Sequence, residues 1–231
     1  MLADSSGTEL TRFINAMTTN KTEFFREGHH FDYVRAVWLP SRGPCRRASD
    51  RRLRFWSAAC STGEEPYSLA LTLLDSLDGA GWDLRILASD IDTDVLAHAA
   101  EGIYPVEHVT PVPRAMLPRY FLRGTGPRDG FVRLKPSVRS LVTFRRINFL
   151  DDPWPIRTHF DAIFCRNVLI YFDRPTQQRI LYRLVQQLTE NGLLFLGHAE
   201  SIHGLVGGLT PVAATVYRRI APGSSSAAAR R

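Results

Sequence analysis

Two adjacent carboxylates, Glu64 and Glu65, stand in ACSTGEEPYS where an apolar run gives way to a segment of helical period, and a third, Asp90, ends the next apolar run at ASDID. A helix N-terminus that receives a pyrophosphate offers bare backbone N–H groups. This one carries negative charge, which repels phosphate and attracts a cation. The turn is neither GxGxxG nor a Walker A loop. A cofactor bearing a sulfonium and an ammonium suits that charge, so the turn favours S-adenosyl-L-methionine over NAD or ATP. A simpler use stays open, in which Glu64 or Glu65 completes a capping box with Ser61 or Thr62. Asp90, at the carboxyl end of a strand, stands where an acid accepts hydrogen bonds from ribose hydroxyls. Asp92, two residues on, reads as the cap of a helix beginning near Thr93.

Further along, RRINFLDDPWP puts Asn148 at the end of a strand, where its amide either faces an adenine or shapes a turn. CRNVLIYF sets Arg166 and Asn167 at the end of the strand after that, with Tyr171 among Leu169, Ile170 and Phe172 in the manner of a core residue.

Positioning these groups at one edge requires strands that alternate with helices. The spacing predicts strands over 53–60, 83–90, 160–172 and 193–198, and helices over 65–77, 94–102 and 175–192, the second closed by Gly102 and the third followed by Gly192. Apolar strands alternating with helices make an α/β, doubly wound, Rossmann-like sheet with parallel pairing, helices on both faces and a ligand crevice at the carboxyl ends of the strands. Residues 103 to about 140 break the alternation, and the inserted antiparallel β subdomain is placed at about 118–140. Residues 1–34 read as an N-terminal helical segment, 35–220 as the sheet domain, and 221–231, APGSSSAAARR, as a disordered tail.

At 231 residues and 44% hydrophobic, the chain can bury one principal core. No run reaches the roughly 18–20 apolar residues of a membrane span, and MLADSSGTEL lacks the blocks of a secretory signal, so the expectation is a cytoplasmic protein without membrane insertion. The three cysteines Cys45, Cys60 and Cys165 are odd in number and unpaired in spacing, which suits neither a disulfide framework nor a zinc site; no metal is expected. A net charge of +6 calls for a negatively charged partner, and the densest stretch, SRGPCRRASDRRLRF, carries Arg42, Arg46, Arg47, Arg51, Arg52 and Arg54 as a solvated loop or a docking patch. That stretch has no interleaved aromatic residue in SRGPCRRASDRR, which argues against nucleic acid.

Taken in order, TTNKTEFFRE, SAACSTGEEPYSLA, ASDIDTDVL, GIYP, RYFLRGTGP, INFL, FDAIFCRNVLIYFD and LFLGHAES resemble the CheR-type chemoreceptor methyltransferases over about residues 12–218. The resemblance implies S-adenosylmethionine-dependent methylation of glutamate carboxylates on the cytoplasmic helices of methyl-accepting chemoreceptors, with S-adenosyl-L-homocysteine as product. It also implies that Asn20, Thr22, Arg26, Glu65, Asp90, Asn148, Phe149, Asn167 and Val168 contact the cofactor. Position 149 is Phe where the family usually has Leu, a change of little weight if the contact is through backbone. Arg26 and Tyr171 are the residues that the resemblance sets nearest the transferred methyl, and so the catalytic pair. In family members that use it, the β excursion bearing RGTGPRDG resembles a subdomain that takes a receptor C-terminal peptide. The family also carries a further helical domain before ELTRFINAMTTN, so the expectation is either a short form or a trimmed one, acting as a monomer, with the Arg42–Arg54 cluster taking over some acidic recognition. Two other readings stay open: a cofactor-binding sensor or scaffold without turnover, and a methyltransferase of this fold with a different substrate.

Overall fold

The computed structural model describes residues 8–17, 20–42, 51–77 and 81–220. Helix α1 (Thr8–Met17) comes first, followed by α2 (His29–Tyr33), which runs through a π turn (Val34–Trp38) into α3 (Leu39–Ser41). Then come β1 (Arg52–Ala58), α4 (Glu64–Ser76), β2 (Asp83–Asp90) and α5 (Thr93–Glu101). Short elements follow: β3 (Ile103–Pro105), α6 (Leu117–Tyr120), β4 (Phe121–Arg123), β5 (Phe131–Leu134), α7 (Pro136–Arg139) and β6 (Val142–Arg146). The chain then gives β7 (Phe160–Cys165), α8 (Arg174–Gln187), β8 (Leu188–Leu196), β9 (Leu209–Ala213) and β10 (Val216–Arg219).

Seven strands form one sheet in the order β6-β2-β1-β7-β8-β10-β9. The first five are parallel, as the alternation of strand and helix requires, and β10 returns antiparallel to both β8 and β9. That closing hairpin has no counterpart among the expectations from sequence, because its strands are short and one holds Pro211. Strand order reverses between β1 and β7, so the two chains leaving their carboxyl ends diverge and open a crevice there.

The strands are apolar on both sides because both faces are covered. Leu53, Phe55, Ala162, Phe164, Leu193 and Phe195 enter one core with α4 and the α2–π segment, while Trp56, Ala58, Ile163, Cys165, Leu194 and Leu196 enter a second with α8. The period-2 alternation of the strands thus sorts each strand between two cores.

The helix expected over 175–192 ends five residues early, at Gln187. Leu188 is already extended and pairs with Phe160, and a register shift in β7 before Ala162 absorbs the intervening residues of β8. Asn191 takes φ 61° inside that irregularity, and a side chain on Gly192 would meet the Thr189 carbonyl at 2.9 Å. Asn-Gly serves here as a bulge within a strand rather than as the stop after a helix.

The small sheet, β3-β5-β4, is antiparallel and begins at Ile103, before residue 118. Its buried residues Tyr104, Phe121, Val132 and Leu134 join the first core, so the insertion is anchored to the main sheet rather than tethered. Of the basic stretch, Arg46 and Arg47 lie outside the described residues, as do Cys45 and the tail 221–231. Arg42 pairs with Asp161 at 3.1 Å, and Arg54 pairs with Asp83. Arg52 and Arg54 start β1, about 20 Å and about 13 Å of strand away from its carboxyl end at roughly 3.3 Å per residue.

Candidate active site

The turn that leaves β1 winds through three left-handed positions, Ala59 (φ 67°), Ser61 (φ 48°) and Gly63 (φ 97°). Strained non-glycine backbone of this kind persists only where surrounding contacts over-determine it. Here the fixing contact is Asp90, whose Oδ2 accepts the Ser61 N–H at 2.8 Å and whose Oδ1 accepts the Asp92 N–H at 3.1 Å. Burial pushes the Asp90 carboxyl above its ordinary range, against the pull of those backbone donors. Each carboxylate oxygen keeps a second acceptor direction, so these bonds leave Asp90 able to hold a diol.

A side chain at Gly63 would stand 2.8 Å from Ala99 Cβ and 2.9 Å from the Tyr104 hydroxyl, in a conformation that already favours glycine. Gly63→Ala is therefore expected to lower stability by about 1–3 kcal/mol from backbone strain alone, with further loss from the clash. Urea unfolding monitored by circular dichroism checks this, and a midpoint equal to the parent's would contradict it.

Glu64 and Glu65 part company. Gly63 is the N-cap of α4 and no side chain caps that helix, so the capping box with Ser61 or Thr62 does not form. Glu64 instead turns inward, 3% exposed, to accept the Thr62 hydroxyl at 2.7 Å. Glu65 faces the crevice, where Ser57 Oγ donates to Oε1 at 2.7 Å and Arg166 Nη1 donates to Oε2 at 3.1 Å. Burial pushes Glu65 up, and the Arg166 guanidinium pulls it back.

Arg166, its side chain 2% exposed, also meets Glu27 Oε2 at 3.2 Å and donates to the Arg26 carbonyl. Glu27 in turn accepts Asn167 Nδ2 at 3.3 Å and the His198 N–H at 3.4 Å. Its carboxyl lies below the ordinary range: burial raises it, but Arg166 and these donors outweigh burial. The sequence marked Arg166 as a crevice residue and gave it no task. Glu27 and Glu200 were missed because their bonds from Asn167 span 140 and 33 residues that no local spacing reveals, and Ser57 because it reads as an interior strand residue although it bonds Glu65 only eight residues on.

Residues before the sheet reach the crevice because Phe24 is buried against Tyr104, ring centroids 5.1 Å apart, and the Phe25 N–H bonds Ser68 Oγ at 2.9 Å. Phe25 and Glu27 both take positive φ, 56° and 54°, folding the segment across the carboxyl edge. Asn20 is held by Asp92 Oδ2 at 2.9 Å. Asp92 also caps α5, accepting from Asp94 and Val95 backbone N–H groups, as its position in sequence suggests.

Asn148 is a turn asparagine whose Oδ1 accepts the Leu150 N–H at 3.0 Å and whose amide donates to Asp151 at 3.1 Å; it lines the crevice all the same. Phe149 is buried in the second core. Tyr171 departs from the sequence reading most sharply: it is 60% exposed on a 3-10 turn (Leu169–Tyr171) at the rim, not in the core. The adjacent Phe172 carries the apolar contact instead, packed against the second core.

Asn20, Thr22, Arg26, Glu65, Asp90, Asn148, Phe149, Asn167, Val168 and Tyr171 all line a single cavity of about 320 Å³ at the β1/β7 switch point. That volume lies at the lower end of the roughly 300–1,000 Å³ of small-molecule sites. Among the inner charges that line it, Glu65 and Asp90 oppose one cation, Arg166, a balance of −1 when all are ionised, and Arg166 is further compensated by Glu27, outside the lining. Lys21 and Arg26 stand nearer solvent. The inner cavity therefore fits a cofactor with cationic centres and a hydroxylated ring, as S-adenosylmethionine has. Cys60 and Cys165 are buried with burial raising both thiols, the state of core residues rather than nucleophiles.

Residues 20–218 match the family described as "CheR methyltransferase, SAM binding domain". The chemotaxis protein methyltransferase 2 of Pseudomonas aeruginosa is 49% identical over 205 residues, covering 89% of this chain and 71% of that protein. The chemotaxis protein methyltransferase of Salmonella typhimurium is 46% identical, covering 93% of this chain and 72% of that protein, and that of Escherichia coli is 47% identical, covering 90% and 70%. Among solved structures, the DszA carbon methyltransferase aligns at 18% identity with a TM-score of 0.47, over 79% of this chain and 40% of that one.

Proposed function

The chain belongs to the CheR methyltransferase family, and from that premise we propose that this S-adenosylmethionine-dependent chemotaxis methyltransferase esterifies glutamate side chains on the cytoplasmic helices of chemoreceptors. The observation that carries the reading is the convergence of ten residues, drawn from five separate stretches of sequence, on one cavity whose inner charge is negative.

S-adenosylmethionine, when bound, supplies an electrophilic methyl group. Asp90 would accept from the cofactor's hydroxyls, and Glu65, held by Ser57 and Arg166, would offer negative charge to its cationic groups. Asn20 and Thr22 from the leading segment, together with Asn148, Phe149, Asn167 and Val168, line the cavity and would hold the cofactor there.

A glutamate carboxylate, with an unperturbed pKa of about 4.3, is already ionised at neutral pH, so the chain need not supply a general base. Its residues have to align that carboxylate and exclude water from it. Arg26 and Tyr171, both at the rim, orient it by N–H and O–H donation. Too strong a grip on the ground-state anion would raise the barrier. In keeping with that limit, Arg26 already spends Nη1 on the Lys21 carbonyl at 2.8 Å and is not free to clamp with its whole fork.

The small sheet suits a receptor C-terminal peptide. β4 is an edge strand, and Leu122, 49% exposed, gives an added strand an apolar contact. Of the arginines expected to take over acidic recognition, Arg42 pairs with Asp161 and Arg54 with Asp83, so these two already hold acidic partners within the chain.

Tyr171→Phe tests the catalytic assignment. It should lower the rate of methyl transfer to a receptor fragment by roughly tenfold, the worth of one hydrogen bond to a charged group, with S-adenosylhomocysteine affinity unchanged. An unaltered rate would remove Tyr171 from the catalytic pair.

A further inference from the structure

We propose that Glu200 is a positioning residue for methyl transfer, holding the Asn167–Tyr171 segment in the shape that serves cofactor and substrate together. The proposal rests on the assignment of Asn167, Val168 and Tyr171 made above.

The chain leaving β7 neither continues as strand nor enters a regular helix. Asn167 is left-handed at φ 58°, and Val168 follows at φ −125°, ψ −32°. Successive N–H groups in such a conformation converge on one point and make an anion-binding concavity. The Glu200 carboxylate occupies it. Oε2 accepts the Asn167 N–H at 2.8 Å, and Oε1 accepts the Val168 and Leu169 N–H groups at 2.8 and 2.7 Å. Oε2 also takes the Gly197 N–H at 2.7 Å, which ties the end of β8 to the end of β7. Four backbone donors use the acceptor capacity of both oxygens, and the residue is 6% exposed, so water cannot replace it.

The two loops meet closely. A side chain on Gly197 would fall 2.4 Å from Asn167 Nδ2 and 2.9 Å from the Asn167 N atom. At its head the segment gives Asn167 and Val168 to the cavity wall, and at its tail it presents Tyr171, whose N–H bonds the Val168 carbonyl at 3.2 Å. Tyr171 is too exposed for packing to fix it. Its position is inherited from the turn that Glu200 anchors.

The test is Glu200→Gln in the full chain, with a receptor fragment as methyl acceptor and S-adenosylhomocysteine as the binding probe. The amide keeps one acceptor oxygen and turns hydrogens toward donors. The expected outcome at saturating cofactor is a fall in kcat of between tenfold and a hundredfold, since a misplacement of about 1 Å can cost up to 10²-fold, together with a several-fold weaker probe affinity in protein that remains folded by circular dichroism. Combined with Tyr171→Phe, the two costs should be less than additive, because both act through one segment. Wild-type kcat and affinity in folded protein, or full additivity, would overturn the proposal. If Glu200→Gln does not fold, Glu200→Asp keeps the charge but reaches fewer donors. It should show the same fall in kcat to a smaller degree, and wild-type kcat there would overturn the proposal equally. If Tyr171→Phe alone is silent, the assignment of Tyr171 fails by itself, and Glu200 is judged on its kcat and affinity effects.

Discussion

Arg166→Met is expected to destabilise the protein by about 3–5 kcal/mol and to abolish cofactor binding, because it leaves two buried carboxylates without their shared cation. The side chains of Glu65 and Glu27 are 12% and 9% exposed, and Arg166 lies within 3.2 Å of both. Methionine fills a similar volume, so the loss reports charge rather than a cavity. The pH dependence carries the diagnostic sign. In the parent, Glu27 titrates below its ordinary range, so its share of stability is present above the unfolded carboxyl pKa and is lost as pH falls through the lower folded value. In the variant both carboxyls are pushed upward by burial with no cation to oppose it. Their cost is then greatest at neutral pH and is relieved once the solution falls below the unfolded pKa of about 4.3. The stability gap between parent and variant should therefore narrow on acidification from pH 7 toward pH 4. Denaturant midpoints across that range check it, and a gap that stayed constant or widened would show that the ion triad is not the source.

Asp90→Asn should weaken S-adenosylhomocysteine binding by roughly tenfold to a hundredfold, the worth of about 1.5–3 kcal/mol for hydrogen bonds to a charged acceptor. Asparagine is chosen over alanine because Asp90 also accepts the Ser61 and Asp92 N–H groups, and a single carbonyl oxygen preserves part of that scaffold. Calorimetric titration reads the change directly. An affinity within twofold of the parent would mean that Asp90 shapes the turn and does not touch the ligand.

Much of the architecture was legible because both faces of the main sheet are covered, so that Leu53 through Ala58 and Phe160 through Cys165 read as mostly apolar runs, interrupted only by Arg54, Ser57 and Asp161. The candidate site was legible where the chain leaves strand ends: Asp90 closes β2, Asn167 follows β7 and Glu65 opens the helix after β1, as the rule that α/β crevices open there leads one to expect. Physical reading alone failed where geometry depended on distant partners. Asn191-Gly192 looked like a helix stop because nothing local distinguishes it from a bulge. Tyr171 looked buried because its neighbours are apolar, yet a 3-10 turn directs it to solvent while Phe172 packs inward. Only the family resemblance places Arg26 at the crevice, since its approach depends on Phe24 locking into Tyr104 and on two left-handed residues that no periodicity announces. The pairing of Arg166 with Glu27 and Glu65, and of Glu200 with the β7 loop, depends on segments far apart in the chain, which one sequence cannot join.

The central claim, transfer of a methyl group to receptor glutamates at the β1/β7 cavity, is tested most directly by one measurement. The protein is incubated with methyl-labelled S-adenosylmethionine and a chemoreceptor cytoplasmic fragment, and the label is mapped by peptide mass with base-labile release, alongside an Arg26→Ala variant. The account predicts labelled glutamate side chains, released by base as methanol, with most of the rate lost in the variant. Label that is absent, resists base or falls on other residues, or an Arg26→Ala variant that transfers at the parent's rate, would contradict it.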